Sequence, residues 1–341
     1  MIAGIALPPA AVFAAGLVIV LLGAEMVLRA AARIANRLRV PPILIGLTVV
    51  SVGTSVPELG VGLAAVAENK GPLAVGNIAG TNMLNILFIL GLSALIRPLP
   101  TRMLSVRLDV PVMIASALAL VAMAWDGRLD RGEGSMLLIA AVLYTVALIH
   151  LSRAEGPALQ REFSQEFGRE FSQEGAPAPA IAARQGILEA PAAQGVLLAA
   201  GIALTLVGAD LLVNGASSMA RTWGVSDAFI GLTVVAIGTS APELVTTLLA
   251  TLKNDRDVAI GNLIGSSIYN ILVILGLTVV AAPGGVEVGS EVLRIDLPLA
   301  ALVALVCLPV FRSEGRVSRS EGAVFVIAYL VYLSLLLLVR H

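Results

Sequence analysis

Along this 341-residue chain, long apolar stretches alternate with short polar breaks. A hydrocarbon core of ~30 Å needs about 20 mainly apolar residues per helix. Ten runs meet that length: 9–29, 42–67, 72–96, 108–125, 134–151, 192–213, 227–252, 258–281, 295–311 and 321–339. No Lys or Arg precedes the first run and Glu25 interrupts it, so it reads as a true span and not as a cleaved leader. The one long polar stretch, 152–190, carries Arg161-Glu-Phe-Ser-Gln-Glu again at Arg169 and ends in a Pro/Ala-rich tract. It is shorter than the ~50 residues of a small domain and reads as a linker between two halves, 1–151 and 191–341.

Composition agrees with a membrane protein. Hydrophobic residues make up 58% and charged residues 13%, against about 25% charged in soluble domains. The net charge of -1 leaves no basic excess for nucleic acid. Cys307 is the single cysteine and His150 and His341 are the two histidines, so disulfide, zinc-cluster and histidine-centred chemistry are excluded. No Ser/His, Cys/His or paired-Asp arrangement suggests an enzyme.

Basic residues orient the spans. With the N-terminus outside, the inner segments hold Arg29, Arg33, Arg37 and Arg39; Arg97, Arg102 and Arg107; Arg153, Arg161, Arg169 and Arg184; Lys253 and Arg256; and Arg312, Arg316 and Arg319. These are 16 of the 22 basic residues, which predicts both termini outside and the linker in the cytoplasm.

The chain is also written twice. Gly46-Leu-Thr-Val-Val-Ser-Val-Gly-Thr-Ser-Val-Pro-Glu58 returns, shifted by 185, as Gly231-Leu-Thr-Val-Val-Ala-Ile-Gly-Thr-Ser-Ala-Pro-Glu243. The match runs without a gap to Leu92 and Leu277, with 25 of 47 positions identical. It widens to Gly23-Ala-Glu25 with Gly208-Ala-Asp210, and to Arg107-Leu-Asp-Val-Pro111 with Arg294-Ile-Asp-Leu-Pro298. Each half therefore has five spans, and the cores of the repeat are 42–96 and 227–281. Because five is odd, the second half enters the membrane upside down, an inverted repeat of the kind that places a transport site at the midplane.

Ser51, Thr54, Ser55 and Glu58 fall within about 100° of helical arc. Ala236, Thr239, Ser240 and Glu243 repeat the strip, and Asn77, Thr81, Asn85 and Asn262, Ser266, Asn270 form two further strips at four-residue spacing. Glu58 and Glu243 lie mid-span with no mid-span Lys or Arg to pair with them, which leaves a proton or a bound cation as partner. Pro57 and Pro242 lack an N–H and free a carbonyl one turn back, near Gly53 and Gly238. Hydroxyls, amide oxygens, carbonyls and two carboxylates suit a hard cation such as Ca2+ or Na+, not zinc or copper. Thr48, Thr233, Gly62, Gly80 and Gly265 read as helix-packing positions, and Asn77 and Asn262 as either scaffold or ligand. Tyr144 and Tyr332 are expected at the membrane boundary.

Gly53-Thr-Ser-Val-Pro-Glu58 and Gly238-Thr-Ser-Ala-Pro-Glu243, with Gly76-Asn77 and Gly261-Asn262, resemble the two alpha-repeats of the cation/calcium exchanger superfamily, most closely its prokaryotic Na+/Ca2+ branch. The resemblance spans essentially the whole chain. It implies an all-α fold of ten transmembrane helices in two inverted five-helix repeats, and antiport of Na+ against Ca2+ with no cofactor. It also implies a diamond of sites. Glu58 and Glu243, with carbonyls near Thr54 and Thr239, would hold Ca2+. Ser55, Thr81, Ser240 and Ser266, with carbonyls near Ser51 and Ala236, would complete Na+ sites, and Asn85 and Asn270 would flank the centre. Many family members carry an Asp at one of these last two positions; here both are Asn, so two glutamates alone set the site charge, and either Na+ or H+ could be the counter-ion. The first and sixth helices carry no implied ligand, and their movement would expose the site to each side in turn.

Overall fold

A computed structural model describes residues 8–38, 42–101, 105–154, 191–223, 236–313 and 315–339. Nine helices among them are long and apolar enough to cross a membrane: α1 (Pro9–Leu38), α2 (Ile43–Ala67), α3 (Gly71–Ile96), α4 (Ser105–Asp126), α5 (Arg131–Ala154), α6 (Pro191–Thr222), α8 (Arg256–Ala281), α9 (Val292–Arg312) and α10 (Arg319–Val339). The seventh span is seen as a turn of helix at Ala236–Thr239 and then α7 (Ala241–Leu252). Its expected start at 227–235, with Thr233, lies outside the described residues, as do most of the linker and Arg39, Arg102 and Arg340.

Several helices outrun their apolar stretches. The apolar run of α1 ends near residue 29, yet the helix continues to Leu38. Arg29, Arg33 and Arg37 therefore lie on helix and not in a loop. Ala and Arg are strong helix formers, and Arg37 in the last turn complements the negative end of the helix dipole.

The two halves interlock about a pseudo-twofold relation. α1 and α6 run antiparallel in direct backbone contact. A Cβ on Gly23 would sit 2.5 Å from the Thr205 nitrogen, and one on Gly208 would collide with the backbone of Val20, the same contact with the halves exchanged. Gly91 of α3 meets the Gly322 carbonyl of α10, and Gly276 of α8 meets the Gly134 carbonyl of α5, again as exchanged equivalents. Two short antiparallel pairings tie loops across the halves: Leu99–Pro100 with Arg316–Val317, and Arg128–Leu129 with Val286–Glu287.

Packing divides the molecule unequally. One large apolar cluster unites α2 to α5 with α8 to α10, through residues such as Val75, Ile89, Met113, Leu148, Ile268, Val279 and Phe311. The buried residues of α1 and α6 belong instead to three small clusters, around Val27 and Leu198, around Leu28 and Ala250, and around Val20 and Ala209. The α1–α6 pair thus packs outside the large cluster and meets the other helices only through small clusters shared with α2, α7 and α8. It also sits off the twofold relation. Gly53 faces Ile202 and Gly238 faces Val213, both on α6, whereas exact exchange would put Gly238 against Leu17 of α1.

Charge follows the two ends of the bundle. Arg97 and Arg256 share the Asn254 side chain, Arg319 donates to the Ile96 carbonyl, and Lys253 and Arg29 both pair with Glu25. All five belong to the set counted as inner.

Candidate functional site

Central breaks in the second and seventh spans shape the candidate site. α2 is interrupted at Ser55 (φ -86°, ψ 11°), and the seventh span at Ser240 (φ -91°, ψ 10°). In both, the helix restarts with proline in its first two positions, Pro57 and Pro242, where a missing N–H costs no hydrogen bond. Glu58 and Glu243 then fall in the first turn of the new helix, at the positive end of its dipole. The proline that breaks each span also places the carboxylate where backbone electrostatics favour it.

Both carboxylates are completely buried, and they are linked reciprocally across the halves. The Ser240 hydroxyl donates to Glu58 Oε1 at 3.2 Å, and the Ser55 hydroxyl donates to Glu243 Oε1 at 3.0 Å. Each break residue therefore reaches the glutamate of the opposite repeat. Oε2 of each glutamate is buried without a hydrogen-bond partner. An ionised carboxylate in such a place costs several kcal/mol unless a positive partner compensates it.

The other expected positions divide by what they touch. Asn85 and Asn270 are fully buried in segments where α3 and α8 widen into π-helical turns, Leu84–Leu90 and Asn270–Leu275, a distortion frequent at functional sites. Both amide atoms of Asn85, the Asn270 Oδ1 and the Ser266 hydroxyl lack partners. Thr81 is buried and Thr239 half-buried. Ser51 is engaged in scaffold: its hydroxyl donates to the Gly46 carbonyl at 2.6 Å and the Asn262 carbonyl at 3.0 Å, and its own carbonyl receives the Ser55 N–H at 3.1 Å. The Thr54 hydroxyl donates to the Val50 carbonyl at 3.1 Å and to Asn262 Oδ1 at 3.3 Å. Ala236 opens the turn before Ser240 and offers only a backbone carbonyl.

Asn262, readable from sequence as scaffold or ligand, serves as scaffold. Its Oδ1 accepts from Thr54, and its Nδ2 donates to the Thr247 hydroxyl at 3.0 Å. Asn77 has no such partner for its Nδ2, because Gly62 stands where Thr247 stands in the other half. Sequence reasoning missed Thr246, Thr247 and Asn82. All three are buried and polar, and Thr246 and Thr247 lie one turn beyond Glu243. They could have been found as polar positions at helical spacing, but their repeat equivalents are Val61, Gly62 and Ser267, so a search for shared residues passes over them. Of the packing glycines, Gly265 lies against Leu47 and Ser51 and Gly62 against Thr278, while a Cβ on Gly80 would meet nothing within 4 Å.

Tyr144 corrects a sequence expectation. It is buried within the protein, and its hydroxyl donates to Asp109 at 3.0 Å, so it satisfies a carboxylate instead of marking a membrane boundary. Among the described residues, no group of three or more His, Cys, Asp or Glu side chains could hold a metal ion. Any cation bound here would rely on the two glutamates and neutral oxygens.

Comparison with known proteins matches this architecture. The profile of the family described as sodium/calcium exchanger protein covers residues 9–150 and 194–338. Over 325 residues the chain is 34% identical to the inner membrane protein YrbG of Escherichia coli, covering 94% of each. Over 339 residues it is 29% identical to the sodium/calcium exchanger MaX1 of Methanosarcina acetivorans, covering 94% of this chain and 96% of that one. Among solved structures, the sodium-calcium exchanger NCX_Mj soaked with 2.5 mM Na+ and 0.1 mM Ca2+ is similar with a TM-score of 0.76 and 25% identity, over 96% of this chain and 97% of that one.

Proposed function

The chain belongs to the sodium/calcium exchanger protein family, and from that premise we propose that it is a secondary antiporter that exchanges Na+ for Ca2+ by alternating access. The observation that carries this reading is the reciprocal bridging of two buried glutamates by the hydroxyls of the opposite helix breaks. Glu58 and Glu243, with the carbonyls near Thr54 and Thr239, hold Ca2+. Ser55, Ser240, Thr81 and Ser266, with carbonyls near Ser51 and Ala236, bind Na+, and Asn85 and Asn270 supply neutral oxygens between them. Both ions need the same two carboxylates, so they exclude one another. An empty site resists occlusion, because closure would bury two uncompensated charges. Coupling follows from that penalty.

The moving part is the α1–α6 pair. It contributes no buried residue to the large apolar cluster and meets α2, α7 and α8 through three small ones. Its helices have 30 and 32 residues, or ~45 Å and ~48 Å at 1.5 Å per residue, well beyond the ~30 Å hydrocarbon core. Such a pair can slide by several Å and still span the membrane. Its off-axis position against Gly53 and Gly238 supports two arrangements related by exchange of the halves. We place the protein in the cell inner membrane with both termini outside, residues 1–151 and 191–341 as its halves and 152–190 as a cytoplasmic linker.

Purified protein in vesicles, loaded so that only a Na+ gradient or only a pH gradient is present, tests the assignment. Ca2+ uptake driven by Na+ alone is expected; uptake driven by the pH gradient alone would assign H+ as counter-ion, and uptake needing neither would mean a channel. Glu58→Gln or Glu243→Gln should abolish exchange, and near-normal Na+-driven Ca2+ flux in either variant would end the proposal.

A further inference from the structure

Asn82 lies outside the ligand set implied by the repeats, yet it is buried beside one of its members. Its Nδ2 donates to the Ser267 backbone carbonyl at 3.0 Å. A carbonyl can only accept, so this bond determines which end of the Asn82 amide is nitrogen. Asn82 Oδ1 is then the atom turned toward Asn270, and Asn270 Nδ2 donates to it at 3.3 Å. The Asn270 amide is oriented in turn: its nitrogen is used and its Oδ1 is left buried and unpartnered.

We propose that Asn82 is a positioning residue that fixes the polarity of the Asn270 amide, so that its oxygen and not its nitrogen faces the transported cation. This rests on the placement of Asn270 at the ion site. A flipped amide would turn two N–H donors toward a positive ion, and the relay from the Ser267 carbonyl prevents it. The same relay selects an amide over a carboxylate at 270. An Asp there would set an acceptor oxygen against Asn82 Oδ1, two acceptors with no proton between them. Asn82 thus helps keep the site charge at the two glutamates. The opposite half has no counterpart. The residue equivalent to Asn82 is Ser267, whose hydroxyl is unpartnered, and both amide atoms of Asn85 are likewise free of partners.

The test is a double-mutant cycle on the full chain in vesicles, reading the half-saturating Ca2+ concentration and the maximal rate of Na+-driven uptake separately. Groups that orient metal ligands typically contribute about 10–100-fold to affinity. Asn82→Leu should therefore raise the half-saturating Ca2+ concentration about 10-fold, with little change in maximal rate, and should have no further effect in an Asn270→Ala background. Asn82→Ser, which imports the residue tolerated at the equivalent position, should behave like Asn82→Leu and guards against misfolding of the larger change. Additive effects of positions 82 and 270, or unchanged Ca2+ affinity in both Asn82 variants, would overturn the proposal and leave the exchanger assignment standing. Unchanged affinity in Asn270→Ala would overturn both this proposal and the placement of Asn270 at the site.

Discussion

The ion pair between α1 and the α7–α8 turn gives the most direct handle on the arrangement seen here. Lys253 pairs with Glu25 of α1, which also accepts from Arg29 Nε at 2.6 Å. The Glu25 side chain is 22% exposed and that of Lys253 38%. Two unit charges 4 Å apart attract by about 4 kcal/mol at an effective dielectric near 20, but lost hydration and side-chain entropy reduce exposed pairs to about 0.2–1 kcal/mol. Partial burial of Glu25 puts this pair near the upper figure, about 1 kcal/mol, which is a factor of ~5 in a two-state equilibrium. The residues at the exchanged positions are not an acid–base pair. The counterpart of Glu25 is Asp210, which accepts from Asn214 at 3.0 Å, and the counterpart of Lys253 is Glu68, of the same sign as Asp210. Lys70 pairs with Glu68 at 2.6 Å and holds its carboxyl below the usual carboxylate range, so Glu68 stays negative. The pair therefore favours one arrangement only. Deuterium uptake at the α7–α8 turn measures its release. Lys253→Ala, Glu25→Ala and the double variant should each raise uptake by the same factor of about 5, and 1 M salt should shrink the difference from the wild type. Unchanged uptake in Lys253→Ala, or single effects that add in the double variant, would refute the reasoning.

Three further outcomes follow from packing and hydrogen bonding. Gly208→Leu should drive the α1–α6 seam apart, at a cost of about 2–3 kcal/mol for overpacking, and lower the thermal midpoint in detergent by several degrees; Gly80→Ala, with open space around it, should leave the midpoint unchanged. Thr247→Val removes the acceptor from the buried Asn262 Nδ2 and should cost about 1–3 kcal/mol in stability, whereas Thr246→Val removes a neighbouring hydroxyl that has no partner and should not lower the midpoint. Tyr144→Phe removes one hydroxyl donor from buried Asp109 and leaves the other, Ser105, so it should destabilise by only ~1 kcal/mol, read as a lower midpoint with Ca2+ affinity unaltered.

Membrane residence, the repeat and the two glutamates are legible in the sequence because each rests on a strong local signal. Length and hydropathy mark the spans, and a Pro-Glu pair recurring at a shift of 185 marks both the helix break and the carboxylate that follows it. Helix ends are less legible, since α1 continues through Arg29, Arg33 and Arg37 beyond its apolar run. Apolar length measures the hydrocarbon crossing and not the helix. Tyr144 is easily misread because an aromatic with a polar tip suits both a membrane boundary and a buried carboxylate, and only the fold brings Asp109 to it. The α1–α6 seam has a visible trace in glycines seven apart, Gly16 and Gly23, and Gly201, Gly208 and Gly215, but which helices meet along it is a tertiary fact.

The residues missed share a property: they break the repeat. Two exactly equivalent halves would make the two access states equal in energy, because exchanging the halves would convert one into the other. Any preference must come from positions where the halves differ. Glu25 with Lys253 against Asp210 with Glu68 is one such difference, and it acts on the α1–α6 pair. Thr247 against Gly62 is a second, tying Asn262 while leaving Asn77 Nδ2 without a partner. Asn82 against Ser267 is a third, orienting the amide of Asn270 while that of Asn85 has no such relay. In the proposed exchanger, shared residues build the cage and its charge, and unshared residues give that cage a direction, which is why a search for repeats finds the candidate site and overlooks what would bias it.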